Sequence, residues 1–499
     1  MVGVPGRSKG CATCRRRKKG CDLQKPACGQ CIRSGVQCGG YTRERIFINQ
    51  TSAPSAKTVI QRPTTSGPAS GQPSFAIVLP DAFARSALES KSLGLFWEAY
   101  FPGGKPFTSA DARFTTGSWL TTLDASYQRE AALKHALFAV SLGTLGRRQG
   151  DIQMMTQGLA FHGRALRDMA RAVQSPERAW RDELLAAAKL MSVFEILFGA
   201  DEKDKLAQAR SWKSHVNGEL TLVQARSPYL HVSGIGHQLF VDGRYNMTIL
   251  GVRTRKRMPL SSPEWKEIPW LLTPKTPKDA LLDIMVDIPT LLENFDHVQV
   301  CEGEYARDAH RAEVMQECWD LDRRLCEWAQ NMTFFADIDT LTYVDQLDDF
   351  AMAQITYMYW ACCILVFVTL RSANVARSQP AALPARTDPR IYARKIARSI
   401  AYFFGPDRGI FSTHAASFPM ALALSVLSDG PPAEEDVPGG RNQHLEDRKL
   451  LTSIFSQPQT GATIGKFLNS MQQGFAEEFE SRTEDAVRKQ DAGWDMRTP

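Results

Sequence analysis

Six cysteines lie between positions 11 and 38, in the order Cys11-x2-Cys14-x6-Cys21-x6-Cys28-x2-Cys31-x6-Cys38. The spacing CxxCx6C therefore occurs twice, offset by 17 residues. The preceding MVGVPGRSKG has no apolar run of the kind a secretory signal carries. The cysteines are therefore expected to be reduced, and a dense reduced cluster reads as a metal site rather than a disulfide framework. Zinc takes four tetrahedral ligands in a closed structural site. Two such sites need eight ligand positions, yet only six thiols are present and residues 1–50 hold no histidine. The simplest solution shares two thiolates between two Zn2+ ions. The cluster then carries a net −2, which neighbouring cations favour.

Those cations are placed unequally. RRRKKG separates Cys14 from Cys21, whereas IRSGVQ separates Cys31 from Cys38. Only the first half is built to face phosphates. A short helix is expected from about Cys14 to Gly20, with Gly20 as a left-handed terminator. Arg15, Arg16, Arg17, Lys18 and Lys19 on such a helix can enter a major groove, where Lys or Arg reads guanine O6 and N7. Residues 1–50 hold eleven Lys/Arg against two acids, a net +9. The whole chain sums to +6, so the other 449 residues carry −3. Charge concentrated in this way points to a polyanion. The plainer reading of the same run is a solvated basic face or a nuclear import signal, and import and DNA contact can coexist.

CATCRRRKKGCDLQKPACGQCIRSGVQC resembles the DNA-binding domain of the fungal six-cysteine binuclear zinc cluster (Zn(II)2-C6 type) transcription factors. The resemblance implies two Zn2+ ions held by Cys11, Cys14, Cys21, Cys28, Cys31 and Cys38, with Cys11 and Cys28 bridging. It implies a basic helix in the major groove over a CGG triplet, with Lys18 contacting bases. Pro26 also matches, whereas Gly20 stands where the family often has lysine, leaving Lys19 as the substitute contact. Arg15, Arg16, Arg17, Lys19 and Lys25 would position the head on phosphates. The later chain is more loosely similar to the family's helical regulatory region, through FWEAYFP at 96–102, LGRRQGD at 145–151, RDELLAAAKLMSVFEILFG at 181–199, WKSHVNGELTLVQARSP at 212–228 and SSPEWKEIPW at 261–270. No catalytic or ligand-binding residue carries over from these stretches.

The elements around the head follow from composition. Pro, Ser, Thr and Gly supply 15 of residues 51–75, so this stretch is a flexible tether without heptads. Beyond it helical periodicity dominates. Leu133, Ala136, Leu137 and Val140 share one helix face. Met155, Leu159, His162, Leu166, Met169 and Val173 form another apolar stripe on a helix ending before Ser175-Pro176. Ser175 is expected to cap the next helix, which carries Leu184, Ala188, Met191, Phe194 and Phe198 and ends at Gly199. The uncharged 350–370, FAMAQITYMYWACCILVFVTL, reads as a buried core helix rather than a membrane span, and nothing else in the chain resembles it. Cys301, Cys318, Cys326, Cys362 and Cys363 lack CxxC spacing and are expected to be buried thiols. The expected architecture is a small binuclear zinc-cluster head (7–41), a disordered linker (42–84), a large all-α regulatory domain (85–480) and a C-terminal tail (481–499).

The 43% hydrophobic and 23% charged composition excludes a wholly disordered or collagen-like chain. The reading is a nuclear, sequence-specific DNA-binding transcription regulator of the RNA polymerase II type, and not an enzyme. Analogy with the family adds control of a metabolic or secondary-metabolite pathway. The expected partners are double-stranded DNA with CGG-like half-sites and no membrane; a second copy of the chain and transcription co-regulators stay open. Two other classes compete: an all-α enzyme or effector sensor fused to a nucleic-acid module, and a protein whose zinc head binds acidic partners. Asp345, Asp348 and Asp349 are weighed as an enzyme's acidic motif and read instead as a helix cap or exposed face. His162 reads as a packed histidine. Residues 476–499 read as a frayed tail rather than an acidic-hydrophobic activation segment.

Overall fold

A computed structural model describes residues 10–40, 81–200, 204–332, 350–428, 440–457 and 461–474. The chain divides into two compact units, Met1–Ser86 and Ala87–Pro499. In the first, helices α1 (Ala12–Arg16) and α2 (Gly29–Arg33) each follow a cysteine. Helices of five residues are not stable alone. The buried cluster beneath them is Cys11, Cys14, Cys28 and Cys31, with Val36 the sole aliphatic neighbour described. Hydrophobic burial on that scale cannot hold a domain.

The second unit is helical, and no strand occurs among the described residues. It contains α3 (Asp81–Tyr100, which begins just before the unit boundary), α4 (Ala131–Gln149), α5 (Ile152–Val173), α6 (Asp182–Phe198), α7 (Ala207–Ala225), α8 (Gly234–Thr254) and α9 (Pro263–Glu267). These are followed by α10 (Pro277–Met285), α11 (Ile288–His297), α12 (Glu304–Asn331), α13 (Phe350–Val375), α14 (Pro389–Phe403), α15 (Gly409–Ser428) and α16 (Gly440–Ile454), with residues 461–474 as α17. Residues 81–84, expected to close the linker, are therefore helical, since Ala82, Ala84 and Arg85 are strong helix formers. Most of the expected linker and the whole expected tail lie outside the described residues, as do Asp345, Asp348 and Asp349.

Leu133, Ala136, Leu137 and Val140 face the core from α4 as their spacing predicts. On α5 the periodicity misleads. Leu159, Leu166 and Val173 are exposed, and the buried positions are Gly158, Ala165, Asp168 and Ala172. The reason is close packing of α5 on α4 through small residues. A Cβ on Gly158 would lie 2.9 Å from the Gly143 nitrogen and 3.1 Å from the Ala139 oxygen, both backbone atoms. Gly158→Ala is therefore expected to destabilise the protein by about 1–2 kcal/mol, despite the ~1 kcal/mol that alanine gains in helix propensity. Leu159→Gln next to it should stay within about 0.5 kcal/mol. Urea unfolding of both variants checks the contrast.

A second boundary also differs. Ser175 opens only a single turn, accepting hydrogen bonds from Arg178 and Ala179 N–H, and α6 starts later at Asp182. Asp182 and Glu183 then occupy its first turn, where the helix dipole favours acids.

Helix α13 is buried continuously from Phe350 to Phe367 and packs against α11, α12, α14 and α15. Its Gln354 is paired within the protein. Thr115 Oγ1 donates to Gln354 Oε1 at 2.6 Å, and the Gln354 amide donates to Thr116 Oγ1 at 2.8 Å. By length and hydropathy α15 also resembles a membrane span, which the sequence reading did not anticipate. Among the later cysteines Cys318, Cys362 and Cys363 are buried, whereas Cys301 and Cys326 are half-buried; Cys326 faces Asp322 and Arg386 rather than apolar neighbours.

A polar hub lies inside this unit. Asp242 on α8 and Lys278 on α10 form a buried ion pair at 2.6 Å. Asp242 also accepts from Ser118 Oγ at 2.6 Å and from the Trp119 N–H at 2.8 Å. Lys278 further donates to the Ala112 and Thr115 carbonyls. The irregular stretch 111–125 is thereby fastened to two helices.

Candidate metal centre and nucleic-acid interface

Each half of the head is built the same way. Cys11 precedes α1 and its Sγ accepts the Cys14 N–H at 3.3 Å; Cys28 caps α2 and its Sγ accepts the Cys31 N–H at 3.4 Å. The caps bring four buried sulfurs together. Cys28 Sγ lies 3.6 Å from both Cys11 Sγ and Cys14 Sγ, and Cys31 Sγ lies 3.8 Å from both. Zn–S bonds of about 2.3 Å set the edge of a tetrahedron at about 3.8 Å, so the spacing suits zinc. Two groups of four thiols form: Cys11, Cys14, Cys21 and Cys28, and Cys11, Cys28, Cys31 and Cys38. Cys11 and Cys28 occur in both, and the set fits a binuclear site.

Residues not singled out in the sequence close the two halves on each other. Thr13 Oγ1 donates to the Gln37 carbonyl at 3.0 Å and accepts the Gly39 N–H at 2.8 Å, while the Ala12 N–H donates to the Gly40 carbonyl at 2.9 Å. Asp22 accepts the Gly29 N–H at 3.0 Å at the start of α2. A lone Thr or Asp carries no pattern that spacing could reveal.

The cations sit at the end of α1. Arg16, Arg17, Lys18, Lys19 and Lys25 are exposed; the Arg15 side chain lies outside the described set. The terminator is Lys18, with φ 52°, and not Gly20. The Lys19 N–H returns to the Cys14 carbonyl at 3.0 Å, closing the helix end. The same closure recurs 17 residues on, where the Val36 N–H reaches the Cys31 carbonyl and Gly35 takes the positive φ of 62°. A lysine thus occupies a left-handed position that its twin fills with glycine, a local cost of about 1 kcal/mol.

Residues 9–45 match the fungal Zn(2)-Cys(6) binuclear cluster domain. Over these residues the chain is similar to that zinc cluster family. Residues 106–239 match the fungal specific transcription factor domain, which covers three of the five helical stretches noted in the sequence. Both matched families are transcription factor domains and not enzymes. The chain is 33% identical over 135 residues to an uncharacterised transcriptional regulatory protein of Schizosaccharomyces pombe, covering 26% of this chain and 23% of that protein. It is 26% identical over 133 residues to an uncharacterised protein of Emericella nidulans, 27% of each. The chain thus spans about a quarter of the length of the curated relatives it matches. No solved structure matches.

The thiols of the head differ in character. Burial pushes the Cys14 thiol up to about 12 and raises Cys28 and Cys31 as well. Backbone N–H groups of Cys28 and Gly40 hold Cys38 down at about 7. Metal uptake must displace protons from the first group, so affinity falls as pH is lowered. Outside the head, His162 is packed as expected, stacked on Phe194 with centroids 4.1 Å apart. It also lies 3.2 Å from Glu195, which His215 approaches to 3.5 Å. The head brings together the six cysteines and five of the six expected DNA-facing cations; the helical unit contributes none of them.

Proposed function

We propose that this protein is a nuclear, sequence-specific DNA-binding transcription regulator. In this reading two Zn2+ ions are held by Cys11, Cys14, Cys21, Cys28, Cys31 and Cys38, with Cys11 and Cys28 shared. Lys18 reads guanines of a CGG-like triplet in the major groove, and Arg15, Arg16, Arg17, Lys19 and Lys25 contact phosphates. The 7–41 head delivers the 85–480 regulatory region to sites controlling a metabolic or secondary-metabolite pathway. A second copy of the chain and co-regulators complete the proposed partners.

The observation that carries the reading is the exposed cation cluster at the end of α1, directly beside the two thiol groups. Lys18 supports its own assignment, since its left-handed backbone serves no packing purpose that glycine would not serve better. Lys18→Gly is expected to keep the zinc content unchanged and lower the preference for CGG over scrambled duplex by about 1–3 kcal/mol, roughly 5- to 150-fold. With ~5 phosphates neutralised, log K should fall with log salt at a slope near −4.5. Fluorescence anisotropy on CGG and scrambled duplexes across a salt series reads both. Equal affinity for the two duplexes, or a slope near zero, would refute the DNA-reading role and leave an acidic protein partner for the head.

A further inference from the structure

Three side chains from consecutive helices converge inside the helical unit. His162 of α5 and His215 of α7 bring Nε2 to the same oxygen, Oε1 of Glu195 on α6, at 3.2 and 3.5 Å. The three candidate ligand atoms lie within 4.8 Å of one another. His162 Nδ1 is buried without a hydrogen-bond partner, so the polar contact of that ring runs through Nε2. Stacking on Phe194 fixes the ring plane. The Gln208 amide of α7 donates to the Glu195 and Ile196 carbonyls at 2.6 and 3.2 Å, which pins α7 to the end of α6.

The Glu195 side chain is only 10% exposed. A buried carboxylate needs a compensating charge. Among the described residues no lysine or arginine forms an ion pair with it; its charged neighbours are the two imidazoles. Neutral imidazoles supply no charge, whereas a divalent cation supplies it and takes a lone pair from each Nε2. The spacing suits such an ion. Zinc bonds of about 2.1 Å to nitrogen and oxygen set the edge of a tetrahedron at about 3.4 Å, between the two observed separations. The imidazoles keep 12% and 15% exposure, which leaves solvent a way in.

We propose that His162, Glu195 and His215 form a zinc site in the helical unit, separate from the thiols of the head. Imidazole and carboxylate donors suit Zn2+, and three protein ligands leave a fourth position for water. The ion would tie α5, α6 and α7 together at one point. The inference is independent of the DNA-binding reading, because it is read as a difference between chains that share the same head. The rival arrangement is a plain ion pair between Glu195 and protonated imidazole, which takes up no metal.

The test uses the full chain. Wild type and His215→Gln are dialysed against the same buffered free Zn2+ and their zinc is counted by mass spectrometry. Wild type should hold about one ion per chain more, and Glu195→Gln should match His215→Gln. Loss of an outer-shell partner alone weakens metal binding about 10–100-fold, so loss of a ligand should cost at least about 100-fold. Circular dichroism confirms that each variant is folded. Co2+ is then added to the zinc-loaded wild-type chain. It should give visible ligand-field absorption without a thiolate-to-cobalt charge-transfer band, a result that needs no variant to fold. His297, Cys301 and His310 form another candidate group, one that includes a thiol. Cys301→Ser should therefore leave both the zinc count and the cobalt spectrum unchanged. Equal zinc in wild type and a folded His215→Gln, absence of the thiolate-free cobalt absorption, or loss of the extra ion in Cys301→Ser would each overturn the proposal.

Discussion

Cys28→Ser is expected to strip all zinc from the protein and unfold residues 10–40, whereas Cys21→Ser should leave about one ion per chain. Cys28 belongs to both four-thiol groups and Cys21 to one. Cys28 is also the N-cap of α2, and its Sγ contacts both Cys11 and Cys14. The head has no independent core to fall back on, since its buried cluster consists of the cysteines themselves. Structural zinc supplies ~10–16 kcal/mol in small modules, comparable to the whole stability of a typical domain. Zinc content by mass spectrometry and proteolysis between residues 10 and 40 distinguish the two variants. Retention of one ion in Cys28→Ser would disprove the shared thiolate. Acid should act in the same direction: with Cys14 and Cys31 raised by burial, a chelator should remove zinc more readily at pH 6 than at pH 8.

Asp242→Ala is expected to destabilise the helical unit by about 3–5 kcal/mol without touching the head. The loss comes less from the missing attraction than from what it leaves behind. Lys278, 2% exposed, would be left in the interior with the Ala112 and Thr115 carbonyls as its remaining partners among the described residues. Ser118 and the Trp119 N–H would lose their acceptor as well. Removing both charges in Asp242→Ala/Lys278→Met should recover much of the stability, because the pair's desolvation disappears with it. Urea denaturation of the single and double variants measures the difference. A loss below about 1 kcal/mol in the single variant would show that the hub does not hold the 111–125 stretch in place.

The contrast between head and helical unit explains what could be read in advance. Metal ligands are set by spacing along a few residues, so the doubled CxxCx6C pattern predicts two thiol groups with two shared members, while the choice of Cys11 and Cys28 comes from the family resemblance. The helix end was legible in kind but misplaced: glycine propensity pointed to Gly20, whereas the backbone turns at Lys18 because the Cys14 carbonyl is reached by the Lys19 N–H. Helix α13 was readable because a helix apolar on all sides has only one soluble solution, the core. Helix α5 was not, because periodicity marks a stripe without saying what covers it. There the closest approach available to α4, through Gly143 and Gly158, outweighed the larger side chains.

For this protein, local order along the chain was enough to specify the six-cysteine head, its cation cluster, a change to helices near residue 85, four residues later than it occurs, and the burial of 350–367. Those features depend on neighbours within about twenty residues. The Asp242–Lys278 hub, the Gln354 contacts with Thr115 and Thr116, the outward face of α5 and the convergence of His162, Glu195 and His215 join residues up to 240 positions apart. No sequence pattern encodes such pairings, because each polar partner is chosen by which backbone the packed helices happen to bring near, and only the assembled fold settles that.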